Sequence, residues 1–95
     1  MARFAPQLDG LHVETVDADG SLTLVPGGPG VEPEASGPVI DGETNDDDGA
    51  DVFAIVFCWD GRLSELQVYR GDGEPVRRAL RAVDFRLYPG GALRA

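Results

Sequence analysis

The feature that most constrains this chain is a run of eight apolar residues, Val52-Phe53-Ala54-Ile55-Val56-Phe57-Cys58-Trp59, that stops at Asp60-Gly61. The run is rich in β-branched and aromatic side chains and too short for a typical helix. It also falls far below the roughly 20 residues that cross a bilayer. Beyond Gly61, Arg62-Leu63-Ser64-Glu65-Leu66-Gln67-Val68-Tyr69 reads as a second strand. Asp-Gly between two such runs signals a type I′ turn, whose two central residues need positive φ. A two-residue turn sets Trp59 opposite Arg62, Phe57 opposite Ser64, Ile55 opposite Leu66 and Phe53 opposite Val68. In that register Phe53, Ile55, Phe57, Leu66 and Val68 share one face. The first strand is apolar on both faces, so it belongs inside a sheet or under another layer.

A second hairpin precedes it. Leu11–Val16 and Ser21–Val25 alternate around Asp17-Ala18-Asp19-Gly20, which sets Val13 opposite Leu24 and Thr15 opposite Leu22. Residues 26–50 hold four Pro, six Gly and seven acids. So little apolar surface predicts a mobile acidic loop. After Gly73, Pro75 suits the first position of a helix, and Val76, Leu80 and Val83 form its apolar stripe. Phe85–Tyr88 alternates as a last strand. The expected fold is therefore α+β, one domain over residues 1–95. It comprises an antiparallel sheet of four to five strands built from two hairpins, one short helix, and a long acidic Pro/Gly loop at 26–50.

Charge narrows the partners. Seventeen acids against eight Arg and no Lys give a net charge of -9, which disfavours nucleic acid and anionic membranes. The balance is uneven: residues 1–61 carry -12 and residues 62–95 carry +3. Such asymmetry either joins the two halves within one fold or marks an interaction surface. The single Cys cannot form an internal disulfide. Met-Ala-Arg-Phe-Ala-Pro is not followed by an apolar core of a secretory signal, so the expected location is cytoplasmic.

The chemistry of catalysis and cofactors finds no motif. Neither Gly20 nor Gly49 sits in a loop with the ligand spacing of an EF-hand, and one Cys with one His cannot supply a typical structural zinc set. No phosphate-binding glycine loop follows a strand and opens a helix. Cys58, inside the apolar run, reads as an inert small hydrophobe, and His12 as an exposed residue on a polar face. No catalytic residue, metal ligand or cofactor is expected.

Residues 60–75 carry Asp60-Gly61, then Leu63-Ser64, Leu66 and Tyr69, then Asp72-Gly73 and Pro75. Over 52–76 this resembles small uncharacterised actinobacterial proteins in which a strand ends in Asp-Gly-x-Leu-Ser-x-Leu-x-x-Tyr. The resemblance implies a hairpin and a bacterial origin, and brings no activity. For binding, Trp59 and Arg62 face each other across the turn, with Tyr69 further along. Arg77, Arg78 and Arg81 form the basic cluster. Trp, Tyr and Arg are enriched at interface hot spots. The leading expectation is a non-enzymatic interaction protein, an acidic inhibitor or immunity-type partner of a basic surface. It would engage a protein partner or a second copy as a homodimer. The alternative is a small-ligand or nucleic-acid-binding module using that aromatic and Arg patch.

Overall fold

The computed structural model describes residues 2–8, 10–16, 20–31 and 36–90. Six strands, β1 (His12–Thr15), β2 (Leu22–Val25), β3 (Gly37–Asn45), β4 (Asp51–Trp59), β5 (Arg62–Arg70) and β6 (Arg86–Pro89), form one sheet in the order β1-β2-β5-β4-β3-β6. Every neighbouring pair is antiparallel. The apolar run is thus β4, enclosed between β3 and β5, the place its two apolar faces demand. The first hairpin has the expected register, with Val13 opposite Leu24 and Thr15 opposite Leu22. The last strand also forms, pairing with β3.

Three expectations are corrected. The sheet has six strands rather than four or five, because Gly37–Asn45, inside the expected acidic loop, is a nine-residue strand. Its Gly, Pro and acids look like loop chemistry, yet β3 lies between β4 and β6 and buries Asp41 and Thr44. Residues 32–35 of that loop lie outside the described residues. The helix from Pro75 is also absent, and no α-helix occurs among the described residues, so the class is all-β with two short 3₁₀ segments, Ala2–Leu8 and Ala82–Asp84. The backbone N–H groups of Arg77 and Arg78 donate to the carboxylate of Asp46, at 2.7 and 3.2 Å. That anchor holds the segment against the sheet in an irregular path, and a helix too short to persist alone loses to it. Val83, meant for the apolar stripe, is 81% exposed.

The third correction concerns register. Asp60 and Gly61 both take positive φ, 51° and 77°, and Trp59 pairs with Arg62 and Cys58 with Leu63, as the turn dictates. Ser64 is then an extra residue, so Phe57 faces Glu65, Val56 faces Leu66 and Ile55 faces Gln67. The expected pairs Phe57–Ser64 and Ile55–Leu66 do not form. The Ser64 hydroxyl donates to the carbonyl of Phe57 at 3.3 Å, which helps to hold the bulge. Its consequence is large: Leu63, Leu66, Val68 and Arg70 all fall on the face of Val52, Ala54, Val56 and Cys58. A matching irregularity in β3 leaves Val39 as the extra residue beside Phe57. Two bulges at one level, on both neighbours of β4, increase twist and bend the sheet there.

Near the Asp60-Gly61 turn this face is closed by the chain itself. Phe4 packs on Cys58 and Leu63, with Leu24, Val31, Val39 and Val56 around them. Burying a side chain like Phe4 contributes about 1.5–3 kcal/mol. Gln7 completes the seal: its amide donates to the carbonyl of Gly61 and its oxygen accepts from Leu63 N–H, both at 2.7 Å. No helix among the described residues is long and apolar enough to cross a membrane.

Candidate ligand groove

The same sheet face stays open further from the turn. Leu22 of β2, Leu66 and Val68 of β5, Ala54 and Val56 of β4, and Ile40 and Gly42 of β3 floor a groove of about 600 Å³. Four adjacent strands contribute because the Ser64 bulge has put Leu66 and Val68 on this side. Residues Arg78–Arg81 and Phe85 wall the groove, with Leu87 of β6 beside them. On the floor Gly42 is paired with Ala54. A methyl group on Gly42 would sit 3.2 Å from Phe85 and 3.3 Å from Leu87, so the missing side chain is what lets Phe85 and Leu87 close over the strand.

A charged network fixes the wall. Arg70, at the far end of β5 from the turn, is buried, with 4% of its surface exposed. Its guanidinium reaches three carboxylates: Asp46 at 3.0 Å, Asp48 at 3.1 Å and Asp72 at 2.6 Å. Asp46 also accepts the N–H groups of Arg77 and Arg78, and so pins the wall segment to the β3–β4 turn. For Asp46, burial pushes the pKa up, but the N–H groups of Arg77 and Asp47 and the Arg70 guanidinium outweigh it and hold the carboxyl low. Asp48 is held low by the N–H of Ala50, against burial, with help from Arg70. Arg70 is the main cause that brings Asp72 down to about 2. The acidic and basic halves of the sequence therefore meet within one fold here. Glu43 of β3 and Arg86 of β6 repeat the pattern at 3.2 Å.

The residues singled out for binding are not brought together. Trp59, 72% exposed, sits at the turn opposite Arg62, whose guanidinium donates to the carbonyl of Pro26 at 2.8 Å. Tyr69 lies opposite Phe53, ring centroids 5.5 Å apart. Six strand residues, about 20 Å, separate Phe53 from Trp59. Both aromatic positions lie on the side of the sheet away from the groove. Arg78 and Arg81 line the groove, whereas Arg77 pairs with Asp48 at 3.5 Å. Cys58 is buried in the apolar cluster and His12 is exposed on β1. Among the described residues no three His, Cys, Asp or Glu side chains are grouped to hold a metal ion.

The sequence pointed to Arg78 and Arg81 by charge and to Ala54 and Val56 as part of an apolar face, and did not place Leu66, Val68, Ile40 and Gly42 beside them. One signal for the floor was present: Leu63 and Leu66 are three apart, a spacing that shares a face only if one residue is extra. No protein-family model, curated protein or solved structure matches this chain.

Proposed function

We propose that this is a non-enzymatic binding protein whose ligand site is the apolar groove between β2–β6 and the wall segment 78–85. The observation that carries this reading is the groove itself. Its volume of about 600 Å³ lies within the roughly 300–1,000 Å³ of small-ligand sites, and its apolar lining with a few polar groups matches theirs. Nile red, a neutral dye that fluoresces in apolar surroundings, tests it. Saturable one-to-one binding is expected, and Ala54→Phe, which fills the floor, should abolish it while urea unfolding stays cooperative. No saturable binding, or binding unchanged in folded Ala54→Phe, overturns the proposal.

A second reading, an acidic inhibitor or immunity-type partner of a basic surface, draws on the net charge of -9 and on Trp59 exposed at the turn. Five of the acids, Glu43, Asp46, Asp48, Asp72 and Asp84, have arginine partners within the chain, so exposed acids such as Glu14, Asp47 and Asp60 would carry that role. The reading keeps the protein cytoplasmic and extends to a homodimer over Ala54 and Val56. Val52, Cys58 and Leu63, which share this side of the sheet, are buried by the chain's own residues. Light scattering at tens of micromolar tests the dimer, with Val56→Glu expected to release monomers.

A further inference from the structure

We infer that the groove takes a free anionic amphiphile: one hydrocarbon chain of medium length bearing a carboxylate, its head group at Arg78 and Arg81. The inference rests on the groove being a ligand site and names what fills it. The floor supplies only apolar surface, which fits a hydrocarbon chain. The wall supplies two arginines, Arg78 and Arg81, to the groove lining.

Arg78 is held in place by neutral acceptors. Its Nε and Nη2 donate to the carbonyl of Asn45 at 3.1 and 2.9 Å, and Nη2 also reaches Thr44 Oγ1 at 3.4 Å. These bonds fix the orientation of the guanidinium, and no carboxylate among the described residues lies within ion-pair distance of it, Asp84 acting on its charge only from further away. The nearby carboxylates have partners already, Asp46 in Arg70 and three backbone N–H groups, one of them Arg78's own, and Asp84 in Arg81. Arg81 is 77% exposed and meets Asp84 at 3.6 Å, a surface pair that holds little energy in water. With Nε and Nη2 of Arg78 engaged, a carboxylate would take its charge-assisted hydrogen bond from Nη1. A cationic head would meet two like charges. The net charge of -9 repels any anion at long range, and a bilayer surface of many charges far more than a single carboxylate, which favours a free monoanion over a lipid in a membrane.

Calorimetric titration of the full chain with monomeric octanoate, decanoate, 1-decanol and decyltrimethylammonium tests this. Decanoate should bind about tenfold more tightly than decanol, the scale of one charge-assisted hydrogen bond. Each added methylene should tighten binding about fourfold. Arg78→Gln and Arg81→Gln should each weaken decanoate about tenfold and leave decanol unchanged. Arg81→Gln suffices if Arg78→Gln fails to fold, since its side-chain contact is exposed. Decanol binding as tightly as decanoate, or decyltrimethylammonium binding more tightly, overturns the anionic ligand and leaves the groove as a site. Binding to phosphatidylglycerol vesicles without binding to decanoate overturns the free monoanion. Failure of every probe, Nile red included, overturns the groove itself.

Discussion

The two ends of β5 anchor the same sheet face by opposite means. At Leu63 the contact is apolar: Phe4, Cys58 and Leu63 exclude water, and Gln7 satisfies the backbone at the rim. At Arg70 the contact is ionic, one guanidinium among Asp46, Asp48 and Asp72. Leu63 and Arg70 are seven residues apart, an odd spacing that in a regular strand places them on opposite faces. The Ser64 bulge removes that conflict. The lesson is that one extra residue lets a single face carry an apolar seal, an open groove and a charged latch in succession, with the groove between anchors of different physics.

The largest effect follows from removing that residue. Deletion of Ser64 moves either Leu63 or the set Leu66, Val68 and Arg70 to the other face, and cooperative unfolding in urea should be lost. Ser64→Ala keeps the count and should cost only about 0.5–1.5 kcal/mol, the worth of its hydrogen bond to Phe57. The two are distinguished by denaturation followed by circular dichroism. Next, Phe4→Ala should cost about 3–5 kcal/mol, much of the stability of a small domain, and nearly the same amount at pH 7 and at pH 3.

The ionic end should answer to pH instead. Asp46, Asp48 and Asp72 have folded pKa values below their ordinary value of 3.8, Asp72 at about 2. Their contribution is therefore complete above about pH 4 and is lost as pH falls toward 2. Acid titration of thermal stability should show that loss in the parent chain and in Phe4→Ala. Arg70→Met should destabilise at pH 7, where it takes the guanidinium away from three carboxylates, and should remove the Asp72 share of the acid-induced loss, while the backbone N–H groups on Asp46 and Asp48 keep part of theirs. The total should be smaller than that of Phe4→Ala, because Asp48 and Asp72 are 32% and 46% exposed. An equal acid response in Arg70→Met would break the comparison. The smallest effect belongs to Arg81→Gln, within about 0.5 kcal/mol of the parent, as an exposed side chain between the anchors.

What the sequence disclosed was the local chemistry. Asp60-Gly61 named its turn, Thr15 and Leu22 their register, and Phe85–Tyr88 its strand, because each depends on a few adjacent residues. What it concealed depended on distant ones. β3 carries Gly37, Pro38, Asp41 and Gly42, a composition of loops, and becomes a strand because β4 needs a partner on that side. The helix from Pro75 has sound local signals, but two of its N–H groups are claimed by Asp46, thirty residues away and hidden in a run of three acids. Of the groove, Arg78 and Arg81 stood out by charge, whereas its floor exists only once four strands share a register that Ser64 sets.

The enclosure of β4 has a consequence for the chain before it folds. Val52–Trp59 holds no charge and no Pro and is built of strongly β-forming residues, the composition of segments that stack into fibrils when exposed. In the folded sheet both of its edges are paired, so the hazard is confined to the newly made or unfolded chain. Asp46, Asp47, Asp48 and Asp51 stand directly before the segment and Asp60 directly after it. Such flanking charges act as gatekeepers against self-stacking, and two of them, Asp46 and Asp48, go on to latch Arg70 in the finished molecule.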